Sequence, residues 1–411
     1  MRILVICQYY YPENFQITPI CEELAIRGHE VTVLTGLPNY PSGIVPEEYK
    51  KGHRYEMLNG VNVVRVKEIG RKHGLLFLIL NYISYCLNAC RKVKQFGSMF
   101  DLVFVYQLSP VMMGLPAVKY KKDHSVPMVT YVCDLWPESM KIYLRKETNP
   151  LFKIIRKVSR YVYDNSDVML CQSNSFVDYL VDYHKESKEK IKYLPAFASD
   201  EYLNNDYYYD NGIVDFVFLG NLGNAQNLFN VLEAVNNIKE ISGFHVHFVG
   251  SGSCFNEMEK YVNEKKLNKC VSFYGRRPVS EMEKFYQLAD VCIVSLKADN
   301  LVGLTLPSKV QGYMAAGKPI IGMIEGSARE VIDEARCGFC VKPDDINGFS
   351  KLMVEFIEKK HDLTRMGNNG KDYFRKHFRK ETFMNQLEEE LMNIVNGGGI
   401  HDDADNILQW E

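Results

Sequence analysis

The chain has 411 residues, enough for about two domains at the usual ~100–200 residues each. Apolar residues make up 46% and charged residues 24%, the balance of a soluble globular protein and not of a disordered or membrane-embedded one. The net charge of −2 argues against a nucleic-acid binder, but its sign is uneven: residues 1–200 carry 26 Lys+Arg against 20 Asp+Glu, and the remainder 23 against 31.

A basic first half suggests a lobe that faces something anionic, a membrane surface being one candidate; chance asymmetry accounts for it equally well. The chain opens on Arg2-Ile3-Leu4-Val5-Ile6, a buried-strand pattern. A Pro-bearing loop follows, then a helix over about Thr18–Arg27 that stops at Gly28-His29, then the strand Val31–Leu34. Strand, helix, glycine stop and strand within about 30 residues is a βαβ unit, which predicts a parallel sheet. Further strands are predicted at Val61–Val66, Leu102–Tyr106, Met128–Val132 and Val168–Cys171. A polar, Tyr- and Asp-rich stretch, Ser199–Gly212, reads as a linker.

The pattern then restarts. Val214–Leu219 is a strand ending at Gly220, a helix covers about Leu228–Lys239, and Phe244–Val249 is the next strand. Strands are predicted at Val271–Tyr274, Val291–Ser295, Pro319–Met323 and Phe339–Val341. The expected architecture is therefore α/β, with two Rossmann-like doubly wound parallel-sheet domains facing across a cleft. Residues 1–200 form the first domain and 210–370 the second. A charged helix over 371–395 is expected to pack back on the first, and 397–411 to form a mobile tail. Ligands of such folds sit beyond the carboxyl ends of the strands, so the cleft is the expected site.

Eleven cysteines, an odd number scattered through apolar segments, read as reduced thiols of a cytosolic protein. Cys337 and Cys340 form a lone CxxC with no second pair for zinc. The run Ile3–Cys7 is too short for a secretory signal, and the longest other apolar stretch, from Leu75, is interrupted at Asn81.

Three segments carry candidate chemistry. Gly220-Asn221-Leu222-Gly223-Asn224-Ala225-Gln226-Asn227 lies between a strand and a helix. Its glycines let the backbone approach a ligand, and the helix start offers free N–H groups to a diphosphate. An ordinary βα turn has the same look. Pro307 and Ser308 mark the start of a second helix, with Ser308 a possible cap. Lys309 then stands at a helix N-terminus, where a positive charge is unfavourable unless an anion is bound. In the first half, Asp134-Leu135-Trp136-Pro137-Glu138-Ser139 follows the strand ending at Val132. Asp134 and Glu138 would face the cleft, and Trp136 would stack on a sugar or simply cap the strand.

These segments carry a resemblance. Gln8–Glu13, Arg27–Thr35, Asp134–Ser139, Gly220–Gln226, Gly275-Arg276 with Ala289-Asp290-Val291, and Pro307–Pro319 together resemble the GT-B fold retaining glycosyltransferases of family 4. The subgroup resembled builds capsule, O-antigen and colanic-acid repeat units. The resemblance implies transfer of a hexosyl or N-acetylhexosaminyl group from a nucleotide diphosphate donor, commonly a UDP-sugar, with retention at the anomeric carbon. It implies a polyprenyl-diphosphate-linked saccharide acceptor at the inner membrane face, no cofactor and no metal. The nearest thing to a metal motif, Asp403-Ala404-Asp405, lies in the tail.

The chain departs from the family where the donor is held. Alignment on Gly317 and Pro319 puts Leu304 and Gly312 where two glutamates eight residues apart are usual. Asn221 and Gln226 stand where an Arg and a Lys usually meet the diphosphate, Gln107 lies where a histidine is common, and Asn14 replaces a glycine pair. The donor-binding expectation therefore falls on Gly220, Asn221, Gly223, Gln226, Arg276, Ser308 and Lys309, with Glu330 offered for the ribose. Lys309, Asp134 and Glu138 are the expected catalytic residues, and Asn14, Gln107 and Trp136 the acceptor side. The segment from Arg71 to Lys94, apolar in its middle and basic at both ends, would meet an anionic membrane or pack as a core helix. Two other readings stay open. One is a non-hydrolysing sugar-nucleotide epimerase, and the other a catalytically degenerate partner subunit of the same fold. A dehydrogenase is disfavoured, because no G-x-G-x-x-G follows either opening strand.

Overall fold

The computed structural model describes residues 1–72, 74–140, 148–207, 210–297 and 306–397. Expectations at Leu304 and the Asp403/Asp405 pair lie outside these residues. The chain divides into two compact units, one of Met1–Leu194 with the chain from Met384, the other of Pro195–Phe383.

The first unit is built on β1 (Arg2–Ile6), β2 (Glu30–Thr35), β3 (Tyr55–Leu58), β4 (Val61–Arg65), β5 (Leu102–Gln107), β6 (Met128–Val132), β7 (Val168–Cys171) and β8 (Ile191–Tyr193). They form one sheet in the order β3-β4-β2-β1-β5-β6-β7-β8. Every pair is parallel except β3 with β4. The central strands are apolar on both faces, as a sheet covered by crossover helices requires; all six residues of β5 are buried. Two strands were not expected. β3 is a short antiparallel edge strand with exposed Tyr55 and Met57, and β8 has only three residues. Neither is long enough to leave a clear period in the sequence.

The second unit holds β9 (Val214–Leu219), β10 (Phe244–Val249), β11 (Val271–Phe273), β12 (Val291–Ser295), β13 (Ile320–Met323) and β14 (Gly338–Val341). Their order is β11-β10-β9-β12-β13-β14, all parallel. The strand order reverses between β9 and β12, and in doubly wound sheets that is where ligands bind. Alternation along β9 feeds two cores. Val214, Phe216 and Phe218 pack with the helices Leu228–Asn237, Phe255–Glu264 and Ile346–Ile357. Val217 and Leu219 pack with Met282–Leu288, Ser308–Ala315, Ser327–Glu334 and Leu363–His377. Each fully buried phenylalanine contributes roughly 1.5–3 kcal/mol of transfer free energy. That anchors the strand whose carboxyl end begins the candidate site.

Three expectations need correction. The helix expected over 371–395 is two helices, Leu363–His377 and Lys380–Val395. Phe378 leaves the helical conformation, buries its ring in the second unit's core and gives its carbonyl to the Ala198 N–H. The chain therefore stays with the second unit until Phe383. From Met384 it belongs to the first, where Glu388 meets Arg27 at 2.7 Å and His29 at 2.8 Å. The stretch Ser199–Gly212 is not a loose linker. Lys371 Nζ donates to the Asn205 carbonyl at 2.7 Å, Lys318 Nζ to that of Tyr207, and the Tyr202 ring lies 4.8 Å from that of Tyr286. Ser308 does not cap its helix: it is the exposed first residue, behind Pro307, and no side chain caps that end.

All eleven cysteines are free, and Cys337 is buried in the core. No helix among the described residues is long and apolar enough to cross a membrane.

Candidate functional site

At the carboxyl ends of β9 and β10 two glycines touch. Gly220 has φ +139° and Gly250 φ +149°, and a Cβ on Gly250 would stand 1.7 Å from the Gly220 carbonyl oxygen. Only glycine permits this approach. Beside it opens a cavity of about 360 Å³ lined by Gly220, Asn221, Gly250, Ser251, Arg276, Arg277 and Met282. Arg276 is exposed, and Arg277 Nε donates to the Tyr274 carbonyl at 3.0 Å. Two guanidinium groups and bare backbone thus share one concave surface.

Lys309 stands next to this surface. Its Nζ lies 3.9 Å from the Phe218 ring centroid and about 3.5 Å from where a Gly220 Cβ would be. Its hydrogen bond goes to a neutral amide, Gln226 Oε1, and it has no carboxylate partner among the described residues. Removal from water lowers the ammonium to a pKa of about 7. The helix that carries it is latched to the end of β9, where Leu219 N–H donates to Tyr313 Oη at 3.0 Å. The starts of Ser308–Ala315 and Leu228–Asn237 both lack a capping side chain and an acid in the first turn. Their free N–H groups and positive dipole ends favour an anion. On the other side of the Gly220–Asn227 turn, Lys297 Nζ donates to Asn224 Oδ1 at 2.6 Å, beside a pocket of about 130 Å³ that Gly223 also lines.

The structure therefore brings together Gly220, Asn221, Gln226, Arg276 and Lys309, with Gly223 around the turn. Ser308 is exposed one residue from Lys309. Glu330 is exposed in the first turn of Ser327–Glu334, and no contact joins it to the cavity. Sequence reasoning missed Gly250, Ser251, Arg277 and Lys297. A signal existed for the first two: Gly250-Ser251-Gly252 repeats the strand-then-glycine text of Gly220. Lys297 lies two residues past β12, a position any carboxyl-end search would include.

In the first unit most of the expected residues are tied into the fold by hydrogen bonds. Both Asp134 carboxylate oxygens accept hydrogen bonds: Oδ1 from Ser139, Oδ2 from Ser109 and from Trp136 Nε1 at 3.3 Å. Trp136 is buried, its ring 6.4 Å from that of Tyr82, so it is not an open stacking platform. Gln107 is buried, donating to the Asp134 carbonyl at 2.9 Å and accepting from Tyr163 Oη at 3.2 Å. Glu138 is buried and accepts from Tyr179 Oη at 2.8 Å. Asn14 is exposed on the loop after β1. A second polar cluster, unforeseen, joins the loops after β1, β2 and β4. Glu68 accepts from Gln8 Nε2 at 3.1 Å and Asn39 Nδ2 at 2.6 Å. Burial pushes its carboxyl well above the ordinary range, against those two donors. Among the described residues no group of three or more His, Cys, Asp or Glu is placed to hold a metal.

This fold, with glycine turns and cations at the strand ends of the second sheet, defines a GT-B protein. Two family models tile the chain: "Glycosyltransferase Family 4" over residues 16–201 and "Glycosyl transferases group 1" over 210–373. The chain belongs with the group 1/family 4 glycosyltransferases. It is similar to the probable glycosyltransferase WbjE of Pseudomonas aeruginosa, 24% identical over 269 residues, or 62% of this chain and 65% of that one. The alignments span less than two thirds of the length of each curated relative matched. Among solved structures, sucrose-phosphate synthase from Thermosynechococcus elongatus matches with a TM-score of 0.71 at 15% identity, covering 96% of this chain and 99% of that one. Anabaena HepE in complex with UDP matches with a TM-score of 0.69 at 13% identity, over 96% and 100%. At these identities the structural matches speak to the fold alone.

Proposed function

We propose that this protein is a retaining glycosyltransferase that moves a hexosyl or N-acetylhexosaminyl group from a UDP-sugar to a lipid-linked saccharide during surface polysaccharide synthesis, of the capsule or O-antigen kind. The observation that carries the reading is Lys309, a half-buried ammonium with no acid beside it, set against the Gly220 turn and two uncapped helix starts. A cation kept in that state lowers the free energy of whatever anion arrives. The UDP bound by the fold relative HepE supports a uridine nucleotide as that anion.

When the bond between sugar and diphosphate breaks, negative charge grows on the leaving oxygen. Stabilising that charge is the main catalytic demand. Lys309, Lys297 and Arg276 supply positive charge there, so the reading needs no bound metal or other cofactor. The acceptor hydroxyl loses its proton late, and the departing phosphate oxygen takes it. Asp134 and Glu138 hold the first unit's loops through Ser109, Ser139 and Tyr179.

The acceptor reading places the protein peripherally at the cytoplasmic face of the membrane. Helix Leu75–Val93 supports it. Its inner face, from Leu78 to Val93, is buried, while Leu76 (66% exposed), Ile83 and Leu87 (51%) form an outer apolar stripe. The helix Pro150–Asp164 carries a comparable outer surface, with exposed Leu151, Ile154 and Tyr161 beside exposed Lys153, Arg156, Lys157 and Arg160. Apolar stripes edged by basic residues suit an anionic bilayer.

Incubation with UDP-sugars and a polyprenyl-diphosphate-linked saccharide tests the whole reading. Product with retained anomeric configuration is expected. Interconversion of the donor alone would support an epimerase, and donor binding without turnover a degenerate subunit. Flotation with anionic vesicles at low salt tests the membrane contact separately.

A further inference from the structure

We propose that Glu68 and the exposed ring of Tyr40 seat the sugar that receives the transferred group, Glu68 accepting from its hydroxyls and Tyr40 packing against its C–H face. This rests on the saccharide-acceptor reading above and deepens it.

The residues concerned all belong to the first unit. Gln8, Gly36 to Tyr40, and Glu68 follow β1, β2 and β4, at the carboxyl ends of parallel strands, where doubly wound sheets take ligands. Gly36 makes the room. A Cβ there would lie 2.5 Å from Glu68 Oε1, so the carboxyl fills the place of a side chain at 36. It is held in one orientation, with Asn39 Nδ2 donating to Oε1 at 2.6 Å and Gln8 Nε2 to Oε2 at 3.1 Å. Both amides are fixed in turn. Asn39 Nδ2 also donates to the Leu37 carbonyl at 2.8 Å, and its Oδ1 accepts the Arg71 N–H at 3.0 Å. Gln8 Nε2 also donates to Asn81 Oδ1 at 2.8 Å.

A brace between loops would close this set on itself, and the set does not close. Among the described residues no cation pairs with Glu68. Gln8 Oε1 is buried and accepts no hydrogen bond. Tyr9 Oη is likewise buried with no partner in hydrogen-bond geometry, although the Arg71 guanidinium draws near it. The cluster therefore has acceptors to spare, and a native interior leaves few such groups unmet. A sugar brings closely spaced hydroxyls, each a donor as well as an acceptor. Access exists: Glu68 stays partly open to solvent, and Tyr40, next to Asn39, is 45% exposed. The Tyr40 ring is braced by Phe15 at 5.4 Å, Tyr9 at 5.7 Å and the Arg71 guanidinium at 5.6 Å. A fixed aromatic face beside a fixed carboxyl matches the two surfaces of a pyranose, its C–H face and its hydroxyl rim.

The test is ligand-observed NMR titration of methyl hexosides and methyl N-acetylhexosaminides, each with its monodeoxy derivatives, with and without UDP. It is run on the full chain and on Glu68→Gln and Tyr40→Leu. Leucine keeps apolar bulk against Phe15 and removes only the flat face, so the melting temperature should hold. At least one glycoside is expected to bind the parent. Each variant should weaken it about two- to tenfold, the worth of one neutral hydrogen bond, with UDP affinity unchanged. The deoxy derivative lacking the hydroxyl that meets Glu68 should bind parent and Glu68→Gln alike, a signature a loop brace would not give. Should Glu68→Gln melt early, Tyr40→Leu alone decides. No glycoside binding to the parent, or equal binding in the parent and either folded variant, overturns the proposal. Binding that depends on Glu68, without transfer from any UDP-sugar, would keep the sugar seat and overturn the transferase reading instead.

Discussion

Lys309 makes donor binding depend on pH in a way that can be worked out in advance. In the empty site its pKa is about 7, because burial disfavours the ammonium and only Gln226 and the Phe218 ring face it. A diphosphate charge about 4 Å away, at an effective dielectric near 20, stabilises the ammonium by roughly 4 kcal/mol. At ~1.4 kcal/mol per pKa unit, that returns the group to about 10. Binding should therefore take up about half a proton at pH 7 and nearly a whole one by pH 8.5. Below pH 7 the affinity for UDP should be flat with respect to Lys309. Above it, the dissociation constant should rise about tenfold per pH unit until near pH 10. Calorimetry in buffers of different ionisation enthalpy, from pH 7.5 to 9.5, reads both the slope and the proton uptake. This range stays clear of a terminal phosphate's own titration near 6. Lys309→Met should remove the slope and weaken binding at pH 7 by up to about 500-fold, the ~4 kcal/mol less the half proton the empty site lacks at that pH. A flat affinity in the parent, or an unchanged dissociation constant in the variant, would refute the reasoning.

The same lysine should show in the stability of the empty protein. The unfolded chain holds its proton up to about pH 10.5 and the folded chain only to about 7, so stability should rise with pH across that window. Lys309→Met should melt higher than the parent at pH 6, with the gap narrowing by pH 9.5 in thermal scans. Asp134→Asn should cost about 1–2 kcal/mol in denaturant titrations, through weakened bonds to Ser109, Ser139 and Trp136, while the pH profile of kcat/KM keeps its shape. Loss of the acidic limb of that profile would instead make Asp134 a proton acceptor. Gly250→Ala should destabilise by at least about 3 kcal/mol, since its Cβ would overlap the Gly220 carbonyl and its φ is +149°; a soluble variant with unchanged melting would contradict the close approach.

The two sheets were legible because parallel strands must be apolar on both faces. Val103–Val105 and Phe216–Phe218 announce themselves without any partner in view. β3 was not legible: Tyr55 and Met57 face solvent, and an edge strand's pattern comes from its neighbour β4. The helix break at Phe378 was hidden for the opposite reason. Charged and apolar residues keep a helical period across it, and only the core that takes the Phe378 ring shows why the chain must turn. In the candidate site, Lys309 could be found because its oddity is local: a cation in the first turn of a helix. The contacts of Asp134 and Trp136 could not. Their partners Ser109 and Tyr82 are 25 and 54 residues upstream, and nothing between them in the chain marks the contact.

Gly312 links the residues missing from this site to those present. A carboxylate at 312 would be three residues from Lys309 on one helix face and would hold the ammonium charged at all ordinary pH. The site would then meet a diphosphate with a charge already half neutralised. With glycine there, the neighbouring space goes to the uncharged Tyr286 hydroxyl, and the acid nearest in sequence beyond it, Glu325, lies past β13. Lys309 is left to be charged by the ligand itself. Glycine at 312 and the low pKa of Lys309 therefore go together. Their consequence is an empty site whose charge rests on Arg276, Arg277 and Lys297 and an occupied one that gains the full charge of Lys309 as well, which favours a ligand bringing two phosphates over one bringing none.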